Sequence, residues 1–206
     1  QVARLRGAGA IPIGKTNAPE FGYTAITKNL IFGVTRNPWN TALTPGGSSG
    51  GSSAALSACM LPLVTASDGG GSTRIPASFV GAFGLKPTFG RIPNESKSLW
   101  SYGDTAVQGP LTKTVADNAL YLDVTSGYSP EDPSSLPHPG FSYRTKLADG
   151  VPRKLRIAYS PDLGYAVVQS DIAQAVYDAA KLYERLGHEL VEIKGGPPKM
   201  GQAWGM

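Results

Sequence analysis

The sequence is short of the residues on which several classes of protein depend. Its 206 residues include one cysteine and two histidines, and only 17% of the chain is charged. A single cysteine excludes an internal disulfide and a cysteine-rich metal site. Because Cys59 falls in an apolar helical pattern, we expect a buried structural thiol rather than a nucleophile. No apolar run is long enough to predict a membrane-spanning helix, so no membrane partner is expected.

The distribution of charge argues against nucleic acid as a partner. The formal net charge is +4, but lysine and arginine are scattered and form no basic run. A hydrophobic fraction of 41% suits one globular domain, or a large piece of a bigger one, and we expect it in the cytoplasm. Gln1 is not an initiator methionine, and a helical pattern is already under way at Val2. We therefore expect the chain to be a segment of a longer polypeptide.

Glycine is abundant, and two clusters of glycine and serine organise the chain, at residues 46–53 and 69–72. An apolar run from Ala54 to Val64 joins them, which excludes a flexible linker. Each cluster can bring backbone N–H groups and hydroxyls close to a small group, either a phosphate or an oxyanion. No G-x-x-x-x-G-K-[ST] string is present, and neither cluster fits G-x-G-x-x-G. Nucleotide binding is therefore disfavoured.

The order of the expected elements predicts an α/β fold. Apolar periodicity and helix-capping residues predict the helices, and short β-prone runs predict the strands. Residues 14–40 are predicted to form a long loop pinned by Phe21, Tyr23, Phe32 and Trp39. The last strand, helix and strand form a βαβ unit, which predicts parallel pairing. The expected helices are 2–6, 52–60, 75–83, one capped by Thr114 and one capped by Ser170; the expected strands are 10–13, 63–67, 154–160 and 189–193.

Residues 46–50 also match the G-x-S-x-G turn that carries the nucleophile of α/β-hydrolases. That mechanism needs a histidine as general base. His188 follows a Gly187 helix end, where a histidine more often interacts with the helix dipole, and His138 lies between two prolines in a loop. A Ser-His-Asp hydrolase is therefore disfavoured.

A set of longer strings, spread over almost the whole chain, resembles the amidase signature family in the family's order. The resemblance is strongest from Gly14 to Asp123. It implies an α/β/α core around a mixed β-sheet, with residues 1–206 forming part of a single amidase signature domain cut at both ends. It also implies a Ser-Ser-Lys catalytic set that uses neither a metal nor an organic cofactor. The strings are GKTN, RNPWN, GGSSGGSSAAL, SDGGGSTRIPASFVGAFGLKPTFGRIP, GPLTKTVAD and DPSSLP.

Matching these motifs implies a role for each serine of the set. Ser72 is the nucleophile, and Ser48, which follows a cis peptide bond from Gly47, passes a proton between Ser72 and the lysine and on to the leaving nitrogen. Ser49 and Asp68 are expected to support the two turns. The main-chain N–H groups expected to bind the oxyanion belong to Gly69, Gly70, Gly71 and Ser72.

Beside these roles stands a plainer interpretation of the other polar residues in the two clusters. Ser49, Ser52, Ser53 and Arg74 fit turn formation, helix capping and a salt bridge, without contact to a substrate.

The third member of the implied set is missing from this sequence. The family's catalytic lysine stands upstream of the GKTN string, hence before Gln1, and neither Lys15 nor Lys86 matches its position. Because loss of a general base costs about 10² to 10⁴ in rate, we expect this segment alone to be poorly active or inert.

The predicted reaction is hydrolysis of a small-molecule amide through an acyl-Ser72 intermediate. Two alternatives stay open. One is the glutaminase subunit of a tRNA-dependent amidotransferase, and the other is a fragment or pseudoenzyme without catalysis. Assembly into a homo-oligomer also stays open.

Overall fold

The protein is described from a computed structural model that covers residues 1–94, 105–150 and 153–199. The chain divides into two compact units, Gln1–Ala148 and Asp149–Met206. Both units combine helices with β-strands, which confirms the predicted α/β class. The first unit contains the helices α1 (Val2–Gly7), α2 (Gly50–Ser57), α3 (Arg74–Val80), α4 (Val115–Thr125) and α5 (Tyr143–Ala148), and the strands β1 (Lys28–Asn29), β2 (Gly33–Val34), β3 (Leu63–Asp68), β4 (Phe83–Gly84) and β5 (Val107–Thr112).

A three-stranded antiparallel sheet forms the centre of the first unit. Strand β5 lies in the middle, between β3 and β4. Its pairing with β3 runs from Leu63 opposite Thr112 to Asp68 opposite Val107. The hydrophobic core between this sheet and the helices α2 and α3 consists of Leu56, Val64, Ala66, Ala77 and Leu111. The sheet thus carries Asp68 to the carboxyl end of β3, where the second glycine cluster begins.

The sequence did not predict the central strand β5, because Gly109 and Pro110 interrupt its β-prone pattern. The structure shows why both residues fit. A Cβ on Gly109 would lie 2.3 Å from the carbonyl oxygen of Leu85, so a glycine is needed at this close approach. The carbonyl of Pro110 accepts from the N–H of Leu85, 3.3 Å away and just beyond the end of β4. Because β4 ends at Gly84, the missing N–H of Pro110 costs the β4–β5 pairing no ladder hydrogen bond.

Several expectations from the sequence are wrong. Residues 10–13 form no strand within the described ranges, because no neighbour there completes a hydrogen-bonded ladder, and Ile11 is 84% exposed. Cys59 is exposed rather than buried, since α2 ends at Ser57 and Cys59 turns away with a φ of 59°. The aromatic rings of the loop of residues 14–40 are not buried, since all four side chains are more than two-thirds exposed: Phe21 78%, Tyr23 68%, Phe32 75% and Trp39 75%. Of the four, Trp39 does anchor the loop, because its indole N–H donates to the carbonyl of Val80 at 2.8 Å.

The second unit is the predicted βαβ unit. Strands β6 (Arg156–Tyr159) and β7 (Glu189–Glu192) pair in parallel, with α6 (Ser170–Arg185) between them in sequence. The residue at the cap position of α6 is Gln169 and not Ser170, and its side chain caps no N–H group of the described residues. Within the described ranges, no helix combines the length and the apolar character needed to cross a membrane.

Candidate active site

The first glycine cluster forms a buried turn that leads into α2. The Gly47–Ser48 peptide bond is cis, the geometry that the resemblance implies. Ser48 is only 9% exposed. Its two preceding glycines touch other backbone, since a Cβ on Gly46 would lie 2.9 Å from the Cα of Pro76 and one on Gly47 would lie 2.8 Å from the carbonyl carbon of Ala25. Glycine is therefore the only residue that fits at either position without displacing the main chain.

The second glycine cluster connects the carboxyl end of β3 to the start of α3. The carboxylate of Asp68 lies at its centre and is completely buried. It accepts main-chain hydrogen bonds from Gly71 at 2.8 Å and from Thr73 and Arg74 at 3.3 Å each. The guanidinium of Arg74 donates two more, both at 2.9 Å. Five donors thus fix the turn from Gly69 to Thr73 around one negative charge.

The charge on Asp68 is stabilised despite its burial. Burial acts to raise the pKa of this carboxyl, but the hydrogen bonds and positive charge of Arg74, with the N–H groups of Gly71 and Arg74, outweigh it and hold the pKa below its ordinary value of 3.8. The same hydrogen bonds raise the pKa of the Arg74 guanidinium against the opposing effect of burial. The turn is therefore built on an ionised carboxylate at neutral pH.

Ser49 joins the two turns. Its N–H donates to the carbonyl of Ser72 at 3.3 Å. Its hydroxyl also donates to the carbonyl of Ser67 at 3.4 Å and accepts from the N–H of Ser67 at 3.3 Å. The turn that carries Ser48 is thereby fixed beside Ser72, which is half-buried. The structure brings the two serines of the expected set to one place.

Where the two turns meet, several hydrogen-bonding groups have no partner among the described residues. Within the described part of the chain, neither the hydroxyl of Ser48 nor that of Ser72 makes a hydrogen bond, and the N–H groups of Gly69, Gly70 and Ser72 have no acceptor. The N–H of Gly71, in contrast, donates to Asp68. A hydroxyl beside free main-chain donors is the arrangement needed to attack a carbonyl and to bind the resulting oxyanion.

The other serines of the first cluster serve packing. Ser53 donates to the carbonyls of Pro45 and Gly50, and the Ser52 hydroxyl shares a 2.8 Å hydrogen bond with that of Thr16. These contacts agree with the plainer interpretation of both residues.

The two histidines and Lys86, to which the sequence analysis assigned no catalytic role, make contacts elsewhere. The Nδ1 atom of His138 accepts from the N–H of Gly140 at 3.2 Å, and that of His188 accepts from the N–H of Leu155 at 3.3 Å. The ammonium of Lys86 donates to the neighbouring carbonyl of Pro87 at 3.1 Å. None of these groups bonds to Ser48 or Ser72 among the residues that the structure describes.

A family model and several known proteins match this chain. The model of the family described as Amidase matches residues 1–204. The chain belongs to the amidase signature family. An acylamidase of Rhodococcus erythropolis is 45% identical over 191 residues, which are 93% of this chain and 40% of that protein. A glutamyl-tRNA(Gln) amidotransferase subunit from Syntrophobacter fumaroxidans is 41% identical over 193 residues, 93% of this chain and 39% of that protein.

Solved structures place the fold in the same family. A bacterial aryl acylamidase, described as an amidase signature enzyme, superposes with a TM-score of 0.90 at 34% identity, over 98% of this chain and 42% of that one. This amidase signature chain thus has the fold of those enzymes and spans about two-fifths of the length of the relatives it matches.

A cavity of about 680 Å³ opens beside the first turn of this amidase signature segment. Ser48 and Ser49 line it, together with Lys15 and residues 63–67 of β3, whereas Ser72 does not. The cavity therefore follows the edge of β3 rather than surrounding the expected nucleophile. Among the described residues no group of three histidine, cysteine or acidic side chains is arranged to hold a metal ion.

One residue of the site was missed in the sequence. Thr27 is completely buried, although its neighbours in the loop are exposed, and its hydroxyl donates to the carbonyl of Gly46 at 2.9 Å. It lies in a segment without apolar periodicity, and its partner stands 19 residues away in the chain. No local pattern could have connected the two.

Proposed function

We propose that the protein is an amidase, which hydrolyses a carboxamide C–N bond through an acyl-Ser72 intermediate. The observation that carries the proposal is the junction at Ser49. There, two serine hydroxyls and three main-chain N–H groups lack any hydrogen-bonding partner among the described residues. Membership of the amidase signature family supports the same reaction.

The chemistry follows from these groups. Ser72 Oγ attacks the amide carbonyl, and the carbonyl oxygen becomes an oxyanion that the N–H groups of Gly69, Gly70 and Ser72 can bind. Each such donor is typically worth about 2.7 to 4 kcal/mol in the transition state. The N–H of Gly71 donates to Asp68 in this structure, so its place in the oxyanion site requires it to serve two acceptors.

Ser48 has the second role in the proposal. It passes the proton of Ser72 to the lysine and then returns a proton from the lysine to the leaving nitrogen, because an amide cannot expel an unprotonated amine efficiently. Water then attacks the acyl-serine ester, and the acid product leaves. The base that takes the first proton is the lysine that the resemblance places upstream of Gln1, and residues 1–206 form part of one amidase signature domain in this proposal.

A glutaminase subunit of a tRNA-dependent amidotransferase is the second candidate. Relatives named as amidotransferase subunits are about as similar to the chain as the acylamidase is, at 41% against 45% identity. Both functions use the same acyl-enzyme chemistry, and they differ in the amide and in the need for partner subunits. We place the acylamidase-like interpretation first. A small-molecule amide is the proposed substrate, and the cytoplasm is the proposed location.

The test is covalent labelling combined with hydrolysis. Protein expressed from the complete gene is treated with a serine-directed fluorophosphonate and assayed with a panel of amides that includes glutamine. We expect labelling at Ser72 and amide hydrolysis, both abolished in Ser72→Ala. Ser78→Ala is the matched control, since Ser78 is exposed on α3 and its hydroxyl donates to the carbonyl of Ile75 within the same helix.

Each outcome separates the candidates. Hydrolysis of glutamine alone, and only with added amidotransferase subunits, would support the second function. Absence of both labelling and hydrolysis in the wild type would leave a non-catalytic protein. Full activity in Ser72→Ala would assign the nucleophile to another residue.

A further inference from the structure

The contacts of Thr27 are directed at the turn that holds Ser48. Its hydroxyl donates to the carbonyl of Gly46, two residues before Ser48. Its side chain also occupies the space beside Gly50, two residues after Ser48. A Cβ on Gly50 would lie 2.2 Å from Thr27 Oγ1 and 2.8 Å from Thr27 Cβ. One side chain thus touches the main chain on both sides of this serine.

Thr27 is itself fixed by the loop around it. Its carbonyl accepts from the N–H of Thr35 at 3.0 Å, immediately beyond the β1–β2 hairpin. The side-chain amide of Asn17 donates to the hydroxyl of Thr35 at 2.9 Å, and the carbonyl of Asn17 accepts from the N–H of Gly51 at 3.1 Å. The loop is therefore hydrogen-bonded to the main chain at Gly46 and at Gly51, on either side of Ser48.

We propose that Thr27 is a positioning residue, which sets the place of the Ser48 hydroxyl by holding the main chain of Gly46 and Gly50. The inference rests on the proposed amidase function. Thr27 packs against the main chain of the turn and takes no part in bond breaking. Its hydroxyl satisfies the carbonyl of Gly46, and its Oγ1 and Cβ atoms occupy the space beside Gly50 that a larger residue would need.

The expected consequence is selective for amides. The amine of an amide must be protonated as it leaves, whereas the alcohol of an ester departs more easily without that proton. Displacing Ser48 therefore slows amide hydrolysis more than hydrolysis of an ester with the same acyl group. A variant that is only less stable loses folded enzyme, which reduces both rates by the same factor.

The experiment compares Thr27→Val with Thr27→Ser in enzyme expressed from the complete gene. Valine keeps the shape and removes the hydroxyl, whereas serine keeps the hydroxyl. The matched control is Thr125→Val, since Thr125 is also completely buried and its hydroxyl also donates to a backbone carbonyl, that of Tyr121 at 2.7 Å. Each variant is assayed with an anilide and an ester of one acyl group, at temperatures where circular dichroism shows it folded.

We expect Thr27→Val to lower kcat for the anilide by about 10- to 100-fold, as a small misplacement of a catalytic group does. The ester rate should fall by about threefold or less. Thr27→Ser should recover most of the anilide rate, and Thr125→Val should leave the ratio of the two rates unchanged. An unchanged ratio in folded Thr27→Val, or no recovery with serine, would overturn the inference. A wild type that hydrolyses neither compound would instead count against the proposed function.

Discussion

The two glycine-rich turns of the candidate site have similar compositions, yet different forces hold them. The turn at residues 69–72 is arranged around the buried carboxylate of Asp68, which receives five hydrogen bonds. The turn at residues 46–51 contains no charge and is held by close packing of its glycines and by neutral hydrogen bonds, among them those of Thr27 and Ser49. One turn depends on a buried charge, and the other on close packing and neutral hydrogen bonds. Their responses to mutation and pH should therefore differ.

The largest effect is expected from adding one methyl group to the uncharged turn. In Gly51→Ala, the new Cβ would lie 2.3 Å from the carbonyl oxygen of Asn17 and 2.5 Å from its nitrogen. The backbone of Asn17 cannot retreat easily, because its side chain bonds to Asn29 and Thr35. We expect the free energy of unfolding to fall by about 3 kcal/mol.

Gly7→Ala is the control for this substitution. A Cβ on Gly7 meets no atom of the described residues within 4 Å, and Gly7 ends α1. The change should be neutral or stabilising by up to about 1 kcal/mol. Urea denaturation followed by circular dichroism measures both variants. Equal stabilities for Gly51→Ala and Gly7→Ala would show that packing does not hold the uncharged turn.

The charged turn should instead respond to acid. Asp68 has a lowered pKa in the folded protein, so the stability it contributes is complete above its unfolded pKa, near 3.8, and is lost as the pH falls through the folded value. In Arg74→Gln, burial still raises the pKa of Asp68, but the opposing guanidinium is gone. The carboxylate therefore contributes less stability at neutral pH, and the difference between the wild type and the variant should shrink as the pH falls below about 3.8. Because Arg74 is 54% exposed, we expect only about 1 kcal/mol of destabilisation at neutral pH.

This prediction is tested by urea denaturation between about pH 3 and pH 7. The wild type should be more stable than Arg74→Gln at neutral pH, and this advantage should shrink as the pH falls through the folded pKa of Asp68. The double variant with Asp68→Asn lacks the titrating carboxyl, so its difference in stability from Asp68→Asn alone should not change with pH. If the difference between wild type and Arg74→Gln is the same across this pH range, the charge of Arg74 does not hold the turn.

The sequence predicted those parts of the fold that local signals determine. Thr114 caps α4 as expected, accepting from the N–H of Asp117 at 3.1 Å, and β3 follows its β-prone run closely. Strand β5 depends on two neighbours that come from distant parts of the chain, and they accept Gly109 and Pro110 where local propensity opposes a strand. Pairing of this kind leaves no periodic signal in the sequence.

The residues of the candidate site likewise fall into those that motifs located and one that only the structure shows. Motifs located Ser48, Ser72 and the two glycine clusters, and the roles of the serines stay predictions. No sequence pattern indicated that Thr27 reaches Gly46, because that contact joins an irregular loop to a turn. The aromatic residues of the same loop were a stronger signal in the sequence, but their rings are largely exposed. Hydrogen bonds, including one from the indole N–H of Trp39 to the carbonyl of Val80, fix this loop rather than burial of its rings.

Thr73→Val should produce the smallest effect, with a sign opposite to that of Thr27→Val. Thr73 is completely buried beside Asp68, and its hydroxyl has no partner among the described residues. Valine would remove a desolvated hydroxyl and preserve the shape, which should stabilise the protein by about 0.5 to 1 kcal/mol. At Thr27 the same change deprives the Gly46 carbonyl of its donor and should cost about 1 kcal/mol. Urea denaturation of both variants measures the difference. If both lose stability equally, the Thr73 hydroxyl has a partner in solution, and the charged turn is held by more than the carboxylate of Asp68.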